Sequence, residues 1–205
     1  MSVFDEYAKD YDSWFVENNL IYDAEVTAIE NLMQKHVEYI EVGVGTGLFA
    51  TKLGIKSGVE PSKSMGEIAI KRGVKVLDAV AEKLPFADNS IEGILMVTVD
   101  CFIKDILPVF KEAYRVLQNG GSYIIAFIDR DAPLGEGYEK NKEDSLYYKG
   151  ATFRSSSEMK DLLQNAGFKM VDSAQTVYTL NNEIQPVNCG NGQGVFAVIK
   201  AKKEI

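Results

Sequence analysis

One histidine, His36, and two cysteines, Cys101 and Cys189, are all that the 205 residues offer of imidazole and thiolate metal ligands. That scarcity argues against a His-rich metal centre and against a histidine triad, so no metal is expected. The cysteines lie far apart and read as two free thiols of a reducing compartment. Basic side chains are in deficit: 22 Lys and Arg stand against 30 Asp and Glu, a net charge of −8. Nucleic-acid binding needs clustered Lys and Arg against phosphates, so no such partner is expected. No apolar run approaches the roughly 20 residues of a membrane span, which removes the membrane as a partner. Met1-Ser-Val-Phe-Asp-Glu lacks the basic start and apolar core of a signal peptide, and the expected location is cytoplasmic. The G-K-[ST] run of a P-loop is also missing. What remains is ordinary: 46% hydrophobic and 25% charged residues, the balance of one globular domain over residues 1–205, monomeric or homodimeric.

The most informative stretch runs from Tyr39 to Leu48. It reads as a short buried strand, Tyr39 to Val42, a turn holding Gly43, Gly45 and Gly47, and a helix from Leu48 to Leu53. Three missing Cβ atoms let the backbone take positive φ and let a ligand approach closely. The helix start adds free N–H groups and a positive dipole end. Such a turn makes a nucleotide-type site at the carboxyl end of a strand. The dinucleotide pattern G-x-G-x-x-G fits only in part, because Leu48 or Ala50 falls where the last glycine belongs. Glu41, just before the glycines, suits a ligand with a positive end. S-adenosylmethionine (SAM) carries an ammonium and a sulfonium and no phosphate.

Glu41-Val-Gly-Val-Gly-Thr-Gly resembles the first motif of class I SAM-dependent methyltransferases. Val59-Glu60-Pro61-Ser62, Ala81-Glu82-Lys83-Leu84-Pro85-Phe86 and the run Glu112 to Gly121 resemble that family's next motifs, in order. The likeness is close from Val37 to Phe127 and extends to the small-molecule methyltransferases of ubiquinone and menaquinone biosynthesis. It implies a Rossmann-like fold: a seven-stranded, mostly parallel sheet with one antiparallel strand and helices on both faces. It implies SAM as cofactor and S-adenosylhomocysteine as product. Glu41, Gly43, Gly45 and Gly47 would hold the methionine end, Glu60 the ribose, and Val80, Ala81 and Glu82 the adenine, with Pro61, Met65 and Val97 completing that wall. Relatives often carry Asp at the position of Val80 and at that of Glu92.

Elsewhere the chain supplies the acceptor side. Phe4, Tyr7, Tyr11, Trp14 and Phe15 recur at helical spacing, Asn18-Asn19 breaks the pattern, and a second helix follows to Met33. Residues 1–35 therefore read as a helical cap, with Tyr7, Tyr11 and Trp14 packing over the sheet or lining a pocket. Met65 either covers the ribose or adenine or fills the core. His36 reads as a cation at the end of the second helix. Asp100 and Asp129 follow the fourth and fifth strands, where open α/β sheets bind ligands, and are the candidate bases; the competing role for Asp100 is a helix cap. Residues 129–154 read as a lid or acceptor loop, with Tyr138, Tyr147 and Tyr148 among its walls. Ser155-Ser-Ser-Glu158 matches a capping box. Two final strands, Phe168 to Leu180 and Gly194 to Lys200, are near enough to pair antiparallel.

The expected activity is methyl transfer to a small-molecule acceptor. Carboxylates and aromatic faces both attract cations, which tilts the acceptor toward an amine, as in histamine N-methylation. Two other readings stay open. One is a non-catalytic SAM-binding sensor or partner protein. The other is an NAD(P)-dependent oxidoreductase.

Overall fold

Apolar runs bounded by turn residues become the strands of one sheet in the computed structural model, described over residues 7–204. They are β1 (Tyr39–Val42), β2 (Ser57–Val59), β3 (Lys75–Leu77), β4 (Ile91–Val97), β5 (Leu117–Ile128), β6 (Phe168–Thr176), β7 (Asn188–Cys189) and β8 (Phe196–Lys203). Their order is β3-β2-β1-β4-β5-β8-β6-β7. The first five strands are parallel. β8 runs antiparallel between β5 and β6, and the two-residue β7 pairs antiparallel with the outer edge of β6. β7 is the addition to the seven expected strands; it forms inside what reads in sequence as a Gly/Asn-rich link.

Helices cover both faces. α1 (Ala8–Glu17), α2 (Asn19–Glu30), α3 (Leu48–Lys52) and α4 (Lys63–Lys71) precede β4; α5 (Leu107–Val116), α6 (Gly135–Asn141) and α7 (Ser156–Asn165) follow it. Successive strand residues point to opposite faces, and two cores result. Leu95, Val97, Ile124, Ala126 and Ile128 pack with Phe15, Ile21, Val26 and Ile29 of the cap. Ile94, Met96, Tyr123, Ile125 and Phe127 pack with Phe110, Val116, Met159 and Leu163. Strands buried on both faces need unbroken apolar sequence, which Ile94-Leu-Met-Val and Tyr123-Ile-Ile-Ala-Phe-Ile supply.

Local signals set the element ends. The Asn18 N–H and its side-chain amide both donate to the Trp14 carbonyl, closing α1 where the aromatic stripe stops. The Ser62 hydroxyl accepts the Met65 N–H and starts α4. The capping box at Ser155 and Glu158 is complete, so the helix begins at Ser156. Three readings need correction. Asn119-Gly120-Gly121 reads in sequence as a helix stop, with the fifth strand starting at Tyr123, yet β5 begins at Leu117, because the residues between Leu117 and Ser122 form an irregularity against β4. The lid contains a helix, α6, where a loop is expected. His36 lies beyond the end of α2 at Glu30, in a left-handed turn with φ of 66°, not on a helix terminus. Phe4 falls outside the described residues.

Candidate active site

A cavity of about 810 Å³ opens at the carboxyl ends of the parallel strands, walled by residues after β1, β2 and β4. Small-molecule sites span roughly 300–1,000 Å³.

One half is built on the glycine loop. The N–H groups of Gly43 and Val44 both donate to the Val59 carbonyl, at 2.9 and 3.0 Å, which folds the loop toward β2. Gly43 and Gly45 line the cavity with φ of 72° and 55°. A Cβ on Gly43 would lie 2.3 Å from Val99 Cγ2, whereas one on Gly45 would meet nothing within 4 Å. Packing therefore demands the first glycine, and the second leaves its space open. Glu60 sits at the end of β2 and accepts the Gly45 N–H at 2.9 Å and the Ser62 N–H at 2.8 Å. Its carboxylate bridges the glycine loop and the start of α4. Pro61, Met65, Val80, Ala81, Glu82 and Val97 are also on this wall. Met65 is both packed and wall-forming, at 3% exposure. Thr98, another wall residue, holds φ of 50°, a conformation costing a β-branched residue about 1–3 kcal/mol.

Two expected residues support this wall from behind. Glu41 is 2% exposed and does not line the cavity. Burial pushes its carboxyl well above the usual range, opposed by the Ala50 N–H and reinforced by the Glu60 charge. Its Oε2 makes no hydrogen bond. Gly47 caps α3 with φ of 81°, its Cα face against Ala69 and Val74. On the cavity side no basic side chain faces the glycine loop: among the described wall residues the one cation is Lys142 of the lid, held by Glu139 at 2.7 Å. Glycine loop, acidic Glu60 and missing phosphate-binding cations fit a nucleoside ligand with a positive end, which SAM is.

The other half comes from the cap and the lid. Tyr11 and Trp14 of α1 and Tyr147 and Tyr148 of the lid line it. Tyr11 meets Tyr147 edge-on at 5.9 Å between centroids, and Tyr148 meets Tyr138 at 5.7 Å. Phe102 stacks on Tyr148 at 6.1 Å. Tyr7 is not on the wall. The cap is latched to the glycine loop by Asp12, which accepts from the Thr46 hydroxyl at 2.6 Å and from Arg72 Nη2 at 2.7 Å. Arg72 also donates to the Thr46 carbonyl at 2.8 Å.

Tyr138 lines the cavity as expected of the lid, and Phe102 does so at the carboxyl end of β4; sequence reasoning missed Glu25 and Leu180, both on the wall. Glu25 had a signal: it interrupts the buried face of α2 formed by Ile21, Tyr22, Ala28 and Ile29. Leu180 had none, because its loop reaches the cap through Asn182, whose amide donates to the Glu17 carbonyl and accepts from the Leu20 N–H.

Neither expected base reaches the cavity wall. Asp100 opens a short 3-10 turn that buries its carboxylate to 1% exposure, 4.0 Å from Arg154 Nη1. Burial raises its pKa to about 7, with Arg154 opposing. Arg154, also buried, donates to the carbonyls of Asp100, Ile103 and Lys104 and ties the lid's end to the loop after β4. Asp129 is occupied by Ser156, whose hydroxyl donates at 2.5 Å and N–H at 3.2 Å, and by the Asp131 N–H at 3.2 Å. It anchors the start of α7.

Among the described residues no cluster of His, Cys, Asp and Glu could hold a metal, and no helix is long and apolar enough to cross a membrane.

Known proteins share this arrangement. The family pattern of the methyltransferase domain matches residues 40–125. An uncharacterised protein of Methanocaldococcus jannaschii is 43% identical over 99% of this chain and 100% of its own length. A ubiquinone/menaquinone biosynthesis C-methyltransferase of Citrobacter koseri is 27% identical over 58% of this chain and 53% of its own. The crystal structure of a SAM-dependent methyltransferase of Thermotoga maritima, described as a possible histamine N-methyltransferase, superposes with a TM-score of 0.95. That protein is 44% identical, with 98% of this chain and 99% of that one covered. This chain belongs to the SAM-dependent methyltransferase family.

Proposed function

We propose that the acceptor is a small molecule carrying an amine, and that the methyl group goes to its nitrogen. The observation that carries this reading is the charge of the wall: Glu25, Glu60 and Glu82 face the cavity against Lys142 alone, among the described residues, and that lysine is already paired. Glu60 and Glu82 stand at the cofactor half, which leaves Glu25 and the rings of Tyr11, Trp14, Phe102, Tyr138, Tyr147 and Tyr148 for the acceptor. Aromatic faces attract cations, by about 0.5–2 kcal/mol each depending on desolvation. The Thermotoga maritima relative, described as a possible histamine N-methyltransferase, supports the same class.

SAM, when bound, supplies an electrophilic methyl on a sulfonium. The chain's task is then positioning. Glycine loop and Glu60 fix the nucleoside, the tyrosines confine the acceptor, and cap and lid exclude water. The test is a turnover screen with SAM and matched acceptors: histamine, 2-phenylethylamine and a polyamine on one side, a catechol and a quinol on the other. Release of S-adenosylhomocysteine with N-methylated product is expected from the amines. Turnover of the oxygen and ring-carbon acceptors alone would overturn the amine assignment.

A further inference from the structure

We infer that Glu25 is the residue that receives the acceptor's cationic nitrogen and removes its proton before methyl transfer. The inference rests on the amine reading above and assigns it a chemical agent.

Glu25 is 8% exposed yet on the cavity wall. Its carboxylate has no hydrogen bond or ion pair among the described residues, and burial is the one influence on its ionisation. A carboxylate in such a place is costly unless a partner arrives. Its surroundings specify that partner. The phenols of Tyr11 on α1, Tyr22 on α2, Tyr138 on α6 and Tyr148 in the lid all feel its charge. Three of those rings, Tyr11, Tyr138 and Tyr148, also line the cavity. The carboxylate thus lies at the junction of cap, helix α6 and lid, with aromatic groups around it and no resident cation. Burial lifts its pKa from 4.5 to about 8, which suits a base working near neutrality.

An alkylammonium has no lone pair and cannot attack. Glu25 accepts one proton from the ammonium, which leaves a neutral amine and a neutral carboxylic acid side by side. The nitrogen lone pair then forms the C–N bond as the methyl's C–S bond breaks, with that bond's electrons remaining on sulfur. The product leaves as a methylammonium, and Glu25 returns its proton to solvent.

Three preparations test this: wild type, Glu25→Gln, which keeps shape without charge, and Glu25→Asp, which keeps charge at shorter reach. Each is assayed with the best amine of the screen, and amine binding to the protein–S-adenosylhomocysteine complex is followed by calorimetry. In Glu25→Gln, kcat/KM for the amine should fall by about 10²-fold or more, amine binding should weaken, and S-adenosylhomocysteine binding should hold. Wild type should show a bell-shaped pH profile, rising as Glu25 ionises and falling as the ammonium does. Glu25→Gln should lose the falling limb and climb toward the amine's own pKa. Glu25→Asp should recover part of the rate. Wild-type rates and profile in Glu25→Gln would overturn the inference. So would loss of S-adenosylhomocysteine binding, which would place Glu25 on the cofactor's ammonium. Equal inactivity of both variants with lowered melting temperatures would make the residue structural and overturn it too. If wild type neither binds nor methylates any amine, the amine reading itself fails, and that result needs no variant.

Discussion

Gly43 and Gly45 sit two residues apart in one loop, yet alanine should do different damage at each. Both have positive φ, 72° and 55°, where a side chain costs about 1–2 kcal/mol. At Gly45 the new Cβ meets nothing within 4 Å, so that strain is the whole stability cost. For a chain of this size, about 2–4 °C of melting temperature goes with each kcal/mol, so Gly45→Ala should melt lower by about 2–8 °C. At Gly43 the Cβ would lie 2.3 Å from Val99 Cγ2, inside contact distance. Overpacking adds about 1–3 kcal/mol, so Gly43→Ala should lose about 2–5 kcal/mol in all, or about 4–20 °C.

Cofactor affinity should rank the other way for each unit of stability lost. The Gly45 methyl projects into the space left for ligand and should weaken S-adenosylhomocysteine by at least about tenfold, or 1.4 kcal/mol, by calorimetry. A double-mutant cycle isolates the clash: Val99→Ala clears it, so Gly43→Ala with Val99→Ala should be more stable than the sum of the single losses by about 1–3 kcal/mol. Strict additivity would refute the steric argument. Undiminished S-adenosylhomocysteine affinity in Gly45→Ala would refute the placement of the cofactor against this loop.

Other changes separate scaffold from site. Asp129→Ala removes the acceptor of three hydrogen bonds, two from Ser156 at the start of α7 and one from the Asp131 N–H, and should cost about 1–3 kcal/mol in denaturant unfolding while leaving kcat intact; loss of turnover in a stably folded variant would return Asp129 to the chemistry. Asp12 and Arg72 should show a coupling of about 1–2 kcal/mol in a double-mutant cycle, and Asp12→Ala should also weaken S-adenosylhomocysteine, because Thr46 of the glycine loop loses its bond to the cap. Stability should depend on pH through Glu25: folding raises its pKa from 4.5 to about 8, so the native state holds the extra proton between those values and stability falls as pH rises through that window. Glu25→Gln should therefore melt with wild type at pH 4 and above it at pH 9, and identical melting at both pH values would contradict that sign.

Legibility in the sequence divides the molecule in two. The cofactor half is made of strand ends and the turns that follow them, so local pattern reaches it: Tyr39–Val42 is β1 as read, Ser62 caps α4, and Glu60 stands at the end of β2. The acceptor half is made of contacts between distant segments. Leu180 reaches the wall because Asn182 bonds across the α1–α2 junction, and no periodicity announces a hydrogen bond over 162 residues. Asp100 shows the same limit from the other side. Its position after β4 is right for a catalytic base, but the 3-10 turn and Arg154, far along the chain, draw its carboxylate inward. β7 and the irregular start of β5 were hidden for a related reason: both depend on which neighbour is available to pair.

Burial raises the pKa of three carboxyl groups near the site, and their surroundings tell them apart. Asp100 faces Arg154, and Glu41 lies under the glycine loop beside the Ala50 N–H. Both are behind the wall, where a buried acid steadies a loop or a strut. Glu25 alone of the three is on the cavity side, and no group of the described chain compensates it. Left alone, such a buried carboxyl keeps its proton at neutral pH, and a positive partner beside it is what favours its ionised form. Cap and lid place it among tyrosines, and among the described wall residues no arginine or lysine answers it except Lys142, already held by Glu139. On the amine reading proposed above, that positive partner is the acceptor's own nitrogen.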